Sequence, residues 1–158
     1  MAKKNNMLKN VNTDYYLNFI KDDPVRPHLP MLWRVQNNRE VYVLEDPGAS
    51  TVEAMICVAY TNEVPKDEGE LELFSTLAEP DSPRGHIAVF YTVWSYVPGA
   101  GRDIVMRLAT HIKDTMPVTR FVTMSPMTDM ARGFHLKNGA AVLQVNSTSV
   151  NYEYKFEE

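Results

Sequence analysis

Apolar positions along this chain repeat with two periods, and each period names an element. Period two is clearest over residues 86–94, where Ile87, Val89, Tyr91 and Val93 alternate with Ala88, Phe90, Thr92 and Trp94. Both faces read as apolar, which places this strand in the middle of a sheet. Residues 51–61 contain Met55-Ile56-Cys57-Val58-Ala59-Tyr60 and read as a second buried strand. It forms a hairpin with a strand at 40–45 through the turn Asp46-Pro47-Gly48. A helical period runs over 103–116, with Ile104, Val105, Leu108, Ala109, Ile112 and Met116 in one stripe.

Weaker signals give a strand at 7–11 and a helix over 14–21 capped by Thr13, with Tyr16, Leu17 and Ile20 on one side. The acidic run 63–72 leads into Leu71, Phe74, Leu77 and Ala78, spaced for a short helix that packs one face. A strand follows at 119–124. Ser125-Pro126 then opens a helix running to Asn138, which Gly139 stops. Residues 140–146 and 149–156 close the chain as a hairpin, with Val150, Tyr152, Tyr154 and Phe156 on one face. Arg26-Pro27-His28-Leu29-Pro30 is too proline-rich for a helix or a central strand. The order is that of a mixed α/β layer fold: a hairpin-rich sheet carrying one strand–glycine turn–helix–strand unit.

Composition narrows the class. The 158 residues suit one domain over 1–158 with a single core. With 44% hydrophobic and 23% charged residues, a wholly disordered chain is excluded. Sixteen Lys+Arg against 20 Asp+Glu give −4, which argues against a nucleic-acid partner. One cysteine, Cys57, excludes an intrachain disulfide and a zinc ribbon. It reads as a buried thiol in a reducing compartment, hence a cytoplasmic location. The polar start has no signal-peptide core, and no run approaches the roughly 20 apolar residues of a membrane helix. Histidines 28, 86, 111 and 135 are scattered, so no metal site is expected.

Two segments carry candidate chemistry. Tyr96-Val97-Pro98-Gly99-Ala100-Gly101-Arg102 stands between the best strand and the best helix. Its glycines admit positive φ and close backbone approach. The helix start adds unpaired N–H groups and the positive end of the dipole, and Arg102 adds a cation. Together they form an anion site of the kind that takes a pyrophosphate. The same spacing also fits a tight turn with no ligand. No Gly-Lys-Ser/Thr follows, so it is not a P-loop, and no third glycine makes it a dinucleotide fingerprint.

In the second segment, Ser125 reads first as a helix N-cap. His135 would lie on a short helix beyond the next strand. If that strand runs parallel to its neighbour, both loops reach one end of the sheet, where ligands of α/β folds bind and a histidine can exchange a proton. The acidic residues Glu63, Asp67, Glu68, Glu70 and Glu72 read as a solvated helix edge, with a rim attracting a cationic substrate as the sharper reading. Trp33 and Trp94 read as core or pocket wall.

Tyr96-Val97-Pro98-Gly99-Ala100-Gly101 resembles the Gln/Arg-x-x-Gly-x-Gly/Ala signature of the GNAT superfamily of acyl-CoA-dependent acyltransferases, with Tyr96 in place of Gln or Arg. Ala131, Phe134, His135 and Gly139 resemble its later motif Ala-x-x-Phe-Tyr-x-x-x-Gly, with His135 in place of tyrosine. The element order resembles the family over most of the chain. The resemblance implies a GNAT-like α/β fold with a mixed, mostly antiparallel central sheet flanked by helices. It implies acetyl-CoA or another acyl-CoA as co-substrate, without a metal. Tyr96, Val97, Gly99, Ala100, Gly101 and Arg102 would cradle the pyrophosphate, and Tyr91 and Val93 would hydrogen-bond the pantetheine arm. The acceptor would be a small-molecule or peptide amine that attacks the thioester directly, with His135 protonating the leaving thiolate or orienting a water that does. Neither nucleic acid nor membrane is an expected partner, and a homodimer is left open.

A narrower resemblance joins Phe121-Val122-Thr123-Met124-Ser125-Pro126 and Phe134-His135-Leu136-Lys137-Asn138-Gly139-Ala140 to the catalytic domain of malonyl-CoA decarboxylase, itself of GNAT fold. Ala88-Val89-Phe90-Tyr91 fits as well. This implies Ser125 and His135 as catalytic residues. That family carries a helical N-terminal domain and a long insertion between the two motifs, whereas residues 127–133 alone separate them here. The expectation is therefore a minimal acyltransferase, with decarboxylation as the alternative and a non-catalytic CoA-binding module as the third reading.

Overall fold

The apolar runs of residues 51–61 and 87–95 sit side by side at the centre of one sheet. A computed structural model describes residues 6–77 and 85–156 of the chain. The strands are β1 (Met7–Val11), β2 (Arg39–Asp46), β3 (Thr51–Thr61), β4 (Ile87–Ser95), β5 (Arg120–Thr123), β6 (Ala140–Val145) and β7 (Val150–Tyr154). Their order across the sheet is β1-β2-β3-β4-β5-β7-β6. β4 and β5 run parallel, and every other neighbouring pair is antiparallel. Every residue of β3 after Thr51 is buried, as a central strand covered on both faces requires.

Helices cover the two faces. α4 (Ala100–Thr115) lays Ile104, Val105, Leu108, Ala109 and Ile112 on the face that carries Ile56, Val58, Phe90 and Phe121. Phe134 of α5 (Asp129–Lys137) packs on the same face. The opposite face holds Val41, Met55, Cys57, Val89, Tyr91 and Val122, with Ile20 of α1 (Leu17–Ile20), Met31 of α2 (Met31–Arg34) and Leu71 of α3 (Glu68–Leu77). This is the mixed, mostly antiparallel sheet flanked by helices that the resemblance implies. Among the described residues no helix is long and apolar enough to cross a membrane.

Several expectations need correction. The helix over 14–21 is a 3-10 turn, Asp14–Tyr16, followed by the four-residue α1. α2 is not expected from the sequence; it starts directly after Pro30, which is its N-cap. α4 begins at Ala100 rather than residue 103 and so takes in the glycine turn. α5 begins at Asp129, and its cap is Thr128, whose Oγ1 accepts from Ala131 N at 3.2 Å. Ser125 is no cap. Its amide and carbonyl both pair with Val150, at 2.9 Å each, which keeps the chain extended there. Ala78 and the loop 79–84 lie outside the described residues.

The expected alternation in β4 also breaks. Cys57 and Val58 of β3 face Thr92 and Phe90, so Tyr91 is an extra, bulged residue. Val93 consequently falls in the layer of Ala88 and Phe90, and Trp94 in that of Val89 and Tyr91. Tyr91 and Thr92 both turn toward the face opposite α4, where Tyr91 packs on Trp33 and Thr92 Oγ1 reaches Asp23.

Candidate active site

β4 and β5 stay paired only from Ile87 opposite Arg120 to Phe90 opposite Thr123. One further backbone bond, Met124 N to Phe90 O at 3.4 Å, closes this ladder. β4 then continues to Ser95 against β3 alone. The hydrogen-bond ladder is therefore open between the strands beside the Tyr91 bulge. Because β4 and β5 are parallel, the glycine turn that follows β4 and the Ser125 segment that follows β5 lie at the same end of the sheet. That is the juxtaposition expected from the sequence.

The opening is not lined by backbone alone. Arg26 inserts its guanidinium, with Nη1 donating to Tyr91 O and Nη2 to Met124 O at 3.0 Å. Asp23 holds the loop that carries it. Its Oδ1 accepts from Val25 N (2.8 Å), Arg26 N (2.9 Å) and Thr92 Oγ1 (2.8 Å), and its Oδ2 from Arg34 Nη1 (2.7 Å). Arg34 is fully buried and also donates to Leu29 O and Arg26 O. Burial pushes the Asp23 carboxyl up, but the hydrogen bonds from Arg26, Arg34, Val25 and Thr92 outweigh it and hold it below the usual range. Cys57 is buried beside Arg34, and burial pushes its thiol up to about 11, so it is an unreactive thiol. The sequence reading does not single out Asp23, Arg26 or Arg34. The available signal is the Asp23-Pro24 turn, in which an aspartate caps amides two and three residues ahead.

The glycine turn has the backbone expected of it. Gly99 caps α4 at φ 84°, in the left-handed region, and no side chain caps this helix start. Ala100 N donates to Val97 O, and the helical ladder starts with Asp103 N to Gly99 O. The amides of Gly101 and Arg102 precede that first bond. A Cβ on Gly101 would lie 3.4 Å from the Phe134 ring, at the near edge of ordinary contact, so this residue of α4 sits against α5. The Tyr96 side chain turns elsewhere. Its hydroxyl donates to Asp22 Oδ2 at 2.7 Å and accepts from Trp94 Nε1 at 2.9 Å, and its ring packs on Phe19. Burial, then Asp22, pushes that hydroxyl up to about 12. Arg102 is exposed and borders a cleft of about 410 Å³ that Lys113, Asn138 and Tyr154 also line.

Ser125 and His135 are both buried, at 4% and 6% exposure, and no hydrogen bond joins them. Ser125 Oγ donates to Thr123 Oγ1 at 2.8 Å, which also accepts from Tyr152 N. His135 Nδ1 lies 2.7 Å from Tyr154 Oη, and its ring sits among Phe134, Tyr152 and Tyr154. Burial brings His135 down to about 4, so the imidazole is neutral near pH 7. Glu68 and Glu72 of the acidic run face His28, Arg26 and Trp33. Among the described residues no group of three or more His, Cys, Asp and Glu is placed to hold a metal ion.

No protein-family model and no curated protein matches the sequence. Solved structures do match the fold. Malonyl-CoA decarboxylase from Agrobacterium vitis superposes with a TM-score of 0.67 at 18% identity, over 82% of this chain and 35% of that one. The chain thus spans about a third of that decarboxylase. A GNAT family acetyltransferase from Elizabethkingia anophelis, with acetyl-CoA bound, gives 0.60 at 9% identity, over 98% of this chain and 100% of that one. AAC(6')-Ib in complex with ribostamycin and coenzyme A gives 0.63 at 12% identity, over 96% and 93%. The chain therefore has the fold that GNAT acetyltransferases share with malonyl-CoA decarboxylase.

Proposed function

We propose that this chain is an acyl-CoA-dependent acyltransferase that moves an acetyl group from acetyl-CoA to an amine by direct attack. The observation that carries this reading is the parting of β4 from β5 at Phe90 and Thr123, at the same end of the sheet as the uncapped, left-handed Gly99 start of α4. The amides around Gly99, Ala100, Gly101 and Arg102 would hold the pyrophosphate. The backbone of Tyr91 and Val93, past the end of the β5 ladder, would bind the pantetheine arm and polarise the thioester carbonyl. An amine held between the loop 21–30 and the last hairpin would attack that carbonyl, and the thiolate would leave with a proton. Since burial keeps His135 neutral, its part is to orient a proton-donating water rather than to act as an imidazolium acid.

Calorimetry with CoA and acetyl-CoA tests the cofactor site, and free-thiol release with and without an amine tests the transfer. Failure of CoA to bind would remove the reading. Malonyl-CoA decarboxylation is the second reading. It is favoured by the superposition on the decarboxylase and by the buried Ser125–Thr123 hydroxyl pair just past β5. Release of CO2 from malonyl-CoA with no acceptor present would replace the first reading by the second.

A further inference from the structure

Among the described residues, the guanidinium in the β4–β5 opening is ion-paired with a half-exposed carboxylate, that of Glu68. Arg26 is 5% exposed. Of its five N–H donors, one on Nη1 and one on Nη2 go to uncharged acceptors, Tyr91 O and Met124 O. Nε forms an ion pair with Glu68 Oε2 at 3.2 Å, with poor hydrogen-bond alignment. Asp23 is already committed to Arg34, Thr92 and two amides. Arg39, also buried, donates to Trp33 O and Ser75 Oγ. Arg26, Arg34 and Arg39 are all buried, and of these Arg34 holds the buried carboxylate of Asp23. A buried cation whose anionic partner stands at the solvent rim is costly and favours a partner held more closely.

Glu68 is a poor permanent partner. Its side chain is 41% exposed and is shared with His28 Nε2 at 2.8 Å. It shows, however, that a carboxylate can reach this guanidinium from the rim. One N–H on each Nη remains for an incoming group, and a guanidinium fork suits a carboxylate held by two such bonds.

We propose that Arg26 receives a carboxylate of the substrate in the β4–β5 opening, and that this group, carried on the acyl chain or on the amine acceptor, sets the specificity of the site. The inference rests on the acyl-CoA reading above. It makes Arg26 a specificity-determining residue and Glu68 the internal competitor that the substrate displaces.

Calorimetry on the whole chain tests both sources of the carboxylate. One arm compares malonyl-CoA with acetyl-CoA. The other titrates L-alanine against its methyl ester into protein saturated with acetyl-CoA. One arm is expected to favour the carboxylate probe by about tenfold or more. A preference in the first arm places the carboxylate on the acyl chain, and in the second on the acceptor. Arg26→Gln should erase the preference, and a thermal unfolding transition close to that of the unaltered chain shows that the variant is folded. Glu68→Gln should enlarge the preference several-fold by removing the competitor. If Arg26→Gln does not fold, Glu68→Gln carries the test, and an unchanged preference there overturns the proposal. No carboxylate preference in either arm, or one that survives Arg26→Gln, also overturns it and leaves the acyl-CoA reading standing. Absence of CoA binding to the unaltered chain removes both.

Discussion

Asp23 holds the β4–β5 opening together, because one carboxylate fixes the loop, the strand and two arginines. Its four hydrogen bonds tie Val25, Arg26, Thr92 and Arg34 into one arrangement. Replacing it with alanine leaves Arg34 charged and fully buried, a loss of about 3–5 kcal/mol that urea unfolding would register. The sign with pH follows from its lowered pKa. The folded state gives up this proton more readily than the unfolded chain. The stabilisation is therefore present above about pH 4 and lost as the pH falls below it. His135 acts in a separate window. The unfolded chain takes up a proton there below about pH 6.5, while burial delays this in the folded state to about 4. Stability should thus fall by on the order of 3 kcal/mol as the pH drops from 6.5 to 4. Unfolding curves of His135→Gln should lack that slope yet keep the later Asp23 limb. An unchanged slope would assign it to another group.

At the scale of elements, the two glycines of the turn do different things. Gly99 has open space around its missing Cβ but stands at φ 84°, so an alanine there costs backbone energy alone, about 1–2 kcal/mol. Gly101 has helical geometry but faces the Phe134 ring, so a valine there would force α4 away from α5. Gly99→Ala should lower thermal stability and weaken CoA binding through the displaced amides. Gly101→Val should disturb the α4–α5 contact, read as altered near-ultraviolet circular dichroism. Both glycines are legible in the sequence because a strand period gives way to a helix period at that point. The strands and α4 are legible for the same reason: Ile87, Val89 and Ile104 are placed by burial, and burial leaves a period. The Tyr91 bulge is not, since Tyr91, Thr92 and Val93 still alternate as letters while Thr92 turns to Asp23. Nor is the start of α5. Ser125-Pro126 is a good local helix start, but the pairing of Ser125 with Val150, 25 residues away, overrides it. The Arg26 cluster is illegible for that reason too. Arg26 meets Tyr91 and Met124 at separations of 65 and 98 residues, and no local pattern encodes such contacts.

For the whole molecule, the question is how a chain of net charge −4 would hold a multiply anionic cofactor. A binder that relied on a basic surface would draw its affinity from long-range attraction, which salt screens over about 10 Å at 0.1 M. Here the net charge disfavours an anion, and on the proposed reading attraction would come from short contacts: the amides of the α4 start, its dipole, and Arg102 beside them. The amide contacts would be made at hydrogen-bond distance and be screened weakly, whereas the exposed Arg102 would be screened, and salt would also relieve the general repulsion. The affinity for CoA should therefore change by less than about tenfold between about 0.05 and 0.5 M salt. Arg102→Ala should weaken binding most at low salt, with the difference from the unaltered chain shrinking as salt rises. Calorimetric titrations at three ionic strengths decide the matter. An affinity that drops by several powers of ten would mean that a cationic surface, and not the glycine turn, holds the anion. The pyrophosphate would then have to be moved away from Gly99 even if CoA binds.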